Sequence, residues 1–337
     1  MRSLRMASFA AVVITLCSLS EVSFVETPVV RIAQQFGLGY LPLIVMEDQQ
    51  LVEKAVRKAG LPNVSVTWTK VGGTSSVNDA LLSGNVDFSA GGVASLLTLW
   101  AKTKDTRNAV KEVAALNDMP SELLVNKSTL QSLKDFTPQD KIAVTSIKVS
   151  IQALLLQMAT AQTFGLSNAE KLDGLTVSLP HPDAVIAMTS GAAGIVAHFS
   201  SPPFQQQERR NPNIKALFSS YDVMGGPSTF ITVWSTKGFH ERNPKTYAAF
   251  YEALSEAISF VRRDPDAAAA TYKRMSRDKM AVEEISAILR DPKIEMTMSP
   301  HGVMKFAKFM FDIGRLKTMP TKWQDAYFPE VHELPGN

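Results

Sequence analysis

The residues best placed to do chemistry in this chain are small and polar, and they cluster where helices begin. Between positions 72 and 97 the chain reads GGTSSVNDALLSGNVDFSAGGVASLL. Apolar residues at helical spacing from Val77 to Leu82, a stop at Ser83-Gly84 and the short alternating run Asn85-Val86-Asp87-Phe88 precede Ser89-Ala90-Gly91-Gly92, which opens another helix. The expected order is helix, turn, strand, glycine loop, helix. The first turn of a helix carries unpaired N–H groups and the positive end of its dipole, so a loop of this kind can hold an anion or a polar small molecule. Gly91 and Gly92 would let a ligand approach the main chain, or serve only close packing of helix on strand. Comparable polar or glycine-containing starts occur at Gly39-Tyr40-Leu41, Gly73-Thr74-Ser75, Ser146-Ile147-Lys148-Val149-Ser150 and Ser200-Ser201.

Catalytic patterns are missing from the same sequence. Gly37-x-Gly39-x-x-Pro42 lacks the third glycine of a dinucleotide fingerprint, and there is no phosphate-loop lysine, GxSxG elbow or HExxH pair. The five histidines, His181, His198, His240, His301 and His332, have no metal-ligand spacing. For His181 and His198 a hydrogen-bonding or packing role is the better reading than catalysis. Lys148 is the one cation in these loops, able to face solvent or to pair with an anionic ligand. Tyr40, Phe199 and Phe204 lie in or beside them and could form an aromatic wall or join the core. These observations favour a binding module over an enzyme, with no cofactor and no metal.

Two compact domains suit 337 residues, 45% of them hydrophobic and 20% charged. Arg2 and Arg5 precede an uncharged apolar run, Met6 to Leu19, that is too short to span a bilayer and ends in Ser18-Leu19-Ser20. Residues 1–20 are therefore expected to be a secretory signal, and the protein periplasmic. The only cysteine, Cys17, lies inside that leader behind Leu16, which argues against a lipid anchor and leaves the mature chain without disulfides or thiolate chemistry. The net charge of +3 creates no field suited to nucleic acid.

From Val29 to about residue 100, strand, loop, helix and strand alternate, and the pattern starts afresh after Leu133. Such alternation predicts α/β lobes, each a mostly parallel sheet flanked by helices. Leu43 to Lys58, Ile151 to Phe164, Pro244 to Arg262, Asp266 to Met275 and Val282 to Leu289 read as helices. Almost everything beyond Lys237 reads as helix, too little for a third sheet, so the tail is expected to pack on the first lobe.

The stretches FGLGYLP, GGTSSVNDALLSGNVDFSAGGVASLL, AHFSSPPF, FITVWSTKGFHERNPKTYAAFYEAL and MKFAKFMFDIGRLKTMPTKWQDAYF resemble the periplasmic substrate-binding proteins of the nitrate, sulfonate and taurine class of ABC importers. The resemblance runs from about Val29 to Phe328. It implies a two-lobed type II binding-protein fold with a ligand cleft between lobes: residues 29–120 and 230–337 in lobe one, 121–229 in lobe two. It implies a monomer that closes about a hinge on a small organic solute and delivers it to a membrane permease and its ATPase. Ligand contacts carry over to Gly39, Tyr40, Leu41, Gly73, Thr74, Ser75, Gly91, Gly92 and Val93 on lobe one, Asn117 and Met119 at the crossing, and Ser146, Val149, Ser150, His198, Phe199 and Ser200 on lobe two. Two solute classes stay open, a sulfonate or similar organic anion and a neutral, heterocyclic or aromatic solute such as a pyrimidine precursor of thiamine, with an enzyme on the same fold as the remaining alternative.

Overall fold

The computed structural model describes residues 26–191 and 194–337, so the expected leader lies outside the described residues. The first part of the chain runs β1 (Val29–Gln34), α1 (Leu41–Asp48), α2 (Leu51–Lys58), β2 (Ser65–Lys70), α3 (Thr74–Leu82), β3 (Phe88–Gly92), α4 (Val93–Thr103) and β4 (Val110–Asp118). It then crosses to β5 (Glu122–Val125), β6 (Lys141–Val144), α5 (Ile151–Phe164), β7 (Thr176–Ser178), α6 (His181–Ser190), β8 (Ile195–Ser200), α7 (Phe204–Glu208), β9 (Lys215–Ser219) and α8 (Ser220–Met224). Strand β10 (Thr229–Thr236) returns, followed by α9 (Lys237–Arg242), α10 (Pro244–Arg263), α11 (Pro265–Ser276), α12 (Val282–Leu289), β11 (Glu295–Met296) and α13 (Val303–Asp312). No helix of the described residues is long and apolar enough to cross a membrane.

Two sheets result, a six-stranded one ordered β11-β4-β10-β3-β1-β2 and a five-stranded one ordered β7-β6-β8-β5-β9. Their pairing is mixed rather than mostly parallel. Strands β1, β2 and β3 are mutually parallel, as are β6, β7 and β8, because helical crossovers join them. Strands that arrive from the other sheet enter at its carboxyl edge and must run away from it: β10 is antiparallel to β3 and β4, and β5 to β8 and β9. The two crossings lie side by side. Ser121 N–H donates to Ser220 Oγ at 3.0 Å and Ser220 N–H to Ser121 O at 2.7 Å, while Thr229 donates to Asp118 Oδ1 at 3.3 Å and His301 Nδ1 meets Asp118 Oδ2 at 2.5 Å.

Buried side chains explain why the helical tail returns to the first sheet. Helix α10 packs on α1 and α2, and its Phe250 ring stacks on Phe88 of β3 with centroids 3.7 Å apart. The expected single helix from Leu43 to Lys58 is broken: Gln50 takes a left-handed conformation (φ 52°) and separates α1 from α2. The glycines expected in a loop after Phe88 belong to the strand itself, and helix α4 begins only at Val93. Asp87 anchors the start of that strand, accepting from Arg31 N–H at 2.9 Å, Nε at 3.1 Å and Nη2 at 2.7 Å. Replacing Asp87 by Ala strands the Arg31 amide and should cost about 1–2 kcal/mol, read from the urea midpoint; a change within error would mean water substitutes for the carboxylate.

Candidate functional site

Five helices, α1, α3, α4, α5 and α6, begin at one narrow gap between the sheets. The gap is nearly closed, with about 10 Å³ of free volume, room for about one water, and is lined by Gln35, Phe36, Tyr40, Gly72, Thr74 and Gly92 with Phe230 and Ile231 on one side, and Thr145, Ile151, Gln152, His181 and Ser201 on the other. Each of the five helices has its first turn or its N-cap there. Among the described residues, none lining the gap is a lysine or an arginine. Its polarity comes from amides, hydroxyls, one imidazole and the free N–H groups of helix starts, a set that can hold an oxyanion or a neutral polar ring.

Glycines bring the walls together. A Cβ on Gly92 would sit 2.4 Å from Cβ of Ile151, one on Gly73 2.7 Å from Thr145 O, and one on Gly72 2.8 Å from Cγ of Pro180. All three contacts join the first sheet's helix starts to the second sheet's loops. Ser75 N–H reaches Ser146 Oγ across the same gap at 3.3 Å.

Of the residues expected at the site, Tyr40, Thr74 and Gly92 line the gap, and Gly73, Ser75 and Ser146 touch across it. Ser150 caps α5, accepting from Ala153 N–H at 3.2 Å, and half-buried Val149 lies in the loop just before it. Others stand one layer back. Gly39 packs against Ile231 and Phe230 and offers its carbonyl to Asn117 Nδ2 at 2.6 Å. Gly91 abuts the Trp234 ring, and Leu41, Val93 and Met119 are core residues. Phe199 is fully buried edge-to-face with Phe218, and the buried Ser200 hydroxyl has no partner. Lys148 turns away: its ammonium lies 3.9 Å from Asp173 and its side chain is mostly exposed.

His198 does not reach the gap. It is fully buried on β8, and its Nε2 meets Nδ1 of His181 at 2.8 Å while its Nδ1 meets Oε1 of Glu208 at 2.8 Å. His181, not His198, supplies the gap's imidazole; Ser201 Oγ lies 3.1 Å and Gln152 Nε2 3.2 Å from its outer nitrogen. Phe204 stacks on His181 with centroids 5.2 Å apart, so it forms the wall behind the imidazole. Burial, reinforced by neighbouring His198, pushes the His181 pKa well down, so this ring stays uncharged. Gln35, Thr145, Ile151 and Gln152 went unrecognised in the sequence because nothing in their local pattern marks them; only the register of the two walls brings them together.

The fold is shared with solved binding proteins at low identity. The alkanesulfonate-binding protein SsuA of Xanthomonas axonopodis pv. citri, solved bound to MOPS, superposes with a TM-score of 0.68 at 18% identity, over 87% of this chain and 96% of that one. The aliphatic sulphonate-binding SsuA of Escherichia coli gives 0.63 at 17% over 90% and 92%, and the periplasmic nitrate-binding NrtA of Synechocystis PCC 6803 gives 0.66 at 14% over 89% and 84%. No curated protein matches the sequence. The model of the NMT1-like family matches residues 25–276, three-quarters of the chain, and the protein is therefore a member of the NMT1-like family with a two-lobed periplasmic-binding-protein fold.

Proposed function

We propose that this protein is the extracytoplasmic solute-binding component of an ABC importer, capturing a small organic solute between its lobes and presenting it to a permease and its ATPase. The observation that carries the reading is the meeting of five helix starts on a gap whose opposing walls touch through glycines. In this reading residues 29–120 and 230–337 form one lobe and 121–229 the other, with the paired crossings at Ser121–Ser220 and Asp118–Thr229 as the hinge. Binding then needs no covalent step; a solute shifts the open–closed balance by its differential affinity for the two states. A sulfonate or similar organic anion fits the helix N-termini and hydroxyls. The lack of lysine and arginine on the gap's described walls also favours a second reading, a neutral or heterocyclic solute such as a pyrimidine.

A thermal-shift screen of residues 21–337 against alkanesulfonates, nitrate, aromatic carboxylates and pyrimidines tests this. Solute at a hundred times its dissociation constant adds about 2.7 kcal/mol of stability. A shift confined to one class supports the reading and names the class; silence across all four counts against it.

A further inference from the structure

A buried hydrogen-bonded chain runs from the gap to a carboxylate at its far end: Ser201 Oγ, His181, His198, Glu208, with contacts of 3.1, 2.8 and 2.8 Å. All four residues are essentially inaccessible, and among the described residues Glu208 Oε2 has no partner and one imidazole N–H is what offsets the burial of this carboxylate. Solving the proton pattern leaves two self-consistent states. In the first, Gln152 and Ser201 both donate to His181 Nε2, His181 Nδ1–H donates to His198 Nε2, and His198 Nδ1–H donates to Glu208. Ser201 then offers only lone pairs to the gap. In the second, one more proton is present and the bond between the two rings reverses: His198 carries protons on both nitrogens and keeps its Nδ1–H on ionised Glu208, while His181, protonated on Nε2 alone, donates to Ser201 Oγ and requires the Gln152 amide to turn its oxygen toward that N–H.

We propose that one proton held on the His198–Glu208 pair sets the hydrogen-bonding polarity of the gap, turning the Ser201 hydroxyl from a donor spent on His181 into a donor available to a solute. The proton balance is closed. A proton enters at His181 Nε2 from the gap side, the proton on His181 Nδ1 passes 2.8 Å to His198 Nε2, and Glu208 stays ionised. His198 thereby gains a charge with no path of its own to water. His181 changes tautomer without changing charge, in keeping with a ring whose protonated form burial disfavours. The groups facing His198 leave the pair undisturbed. Its strand neighbours are Leu124 of β5 and Ala143 of β6, α6 contributes His181 with Asp183 exposed, and α7 contributes Glu208, whose neighbour Arg209 is spent on Glu122 at 3.0 Å. The protonated state suits an anionic solute, so binding an anion would take up one proton. That consequence rests on the proposed solute site; the tautomer exchange does not.

The test is long-range ¹H–¹⁵N correlation on the full chain with ring-labelled histidine, titrated from pH 8.5 to 5.5 without any solute. The expected result is that both His198 nitrogens become protonated while the His181 proton moves from Nδ1 to Nε2 in the same step. A His181 ring that keeps its Nδ1 proton throughout, or that gains both, overturns the proposal. Glu208→Gln removes the charge that holds the proton and should keep His198 neutral and His181 in its Nδ1–H form at every pH; if that variant fails to fold, the wild-type titration still decides. With methanesulfonate as probe, wild-type affinity should fall about tenfold per pH unit above the transition, and stay flat in Glu208→Gln. Tautomer exchange without any methanesulfonate binding would uphold the relay and count against the anion reading of the gap; binding with no pH dependence across the transition would overturn the coupling.

Discussion

Gly92→Val is expected to abolish solute binding while leaving both lobes folded. The new Cβ would lie 2.4 Å from Cβ of Ile151 and 3.3 Å from its backbone nitrogen, distances no packing can absorb. Gly92 has ordinary extended angles, φ −78° and ψ 153°, so valine brings no backbone strain to β3; the nearest conflicts, all with Ile151, lie across the gap. The lobes must then stay apart by at least a methyl group, and contacts from the α5 and α6 starts cannot reach a solute held on the α1, α3 and α4 starts. Small-angle scattering should show a larger radius of gyration than wild type, far-ultraviolet dichroism should be unchanged, and the thermal shift found with the cognate solute class should vanish. Ile151→Gly in the same chain removes the opposing Cβ and should restore much of the binding. Affinity unchanged in Gly92→Val would place the solute elsewhere.

The second large effect concerns Glu112, near the start of β4 and not among the residues lining the gap. It is fully buried, neither carboxyl oxygen has a hydrogen-bond partner among the described residues, and burial pushes its pKa up to about 8 despite the nearby hydroxyls of Thr232 and Tyr327. The sign follows from proton counts. Between the unfolded value of about 4.5 and the folded value of about 8 the native state holds a proton that the unfolded state releases, so stability falls as pH rises through that window and levels off above it. Across pH 5 to 8 this group alone should remove about 3 kcal/mol. Glu112→Gln keeps the shape and cannot ionise, so its urea-unfolding free energy should gain on wild type by about that amount from pH 5 to pH 8. Parallel pH curves for the two proteins would mean that Glu112 finds a partner or water that the packing does not reveal.

How much of this was legible in the sequence depended on whether the signal was local. Helix α5 runs between the bounds read from the sequence, Ile151 and Phe164, and α12 between Val282 and Leu289. Strand β9, Lys215–Ser219, escaped because all five of its residues are half-buried and no alternation marks it. Gly91 and Gly92 were read as loop because glycine usually breaks strands; they are tolerated in β3 since the space their side chains would need belongs to Trp234 and Ile151. At the site, the polar helix starts could be named from capping chemistry, and the individual contacts from the family resemblance. Which of them would face the other wall could not, because His198 and His181 differ only in which layer of the second lobe they occupy. The histidine on β8 is covered on one side by the first turn of α6 and by α7.

The place of β10 in the first sheet has a consequence for the order in which the chain can become native. All five strands of the second sheet lie within residues 122–219, whereas the first sheet has β10 at its centre, between β3 and β4, and β10 starts only at Thr229. During synthesis from the N-terminus, the second sheet has every strand available while the first is still split into β1-β2-β3 and an unpaired β4. The lobe that emerges first is therefore completed last, and until β10 arrives two apolar strand edges in it stay exposed, which is the interval in which a chaperone or an unwanted neighbour would find the protein most receptive.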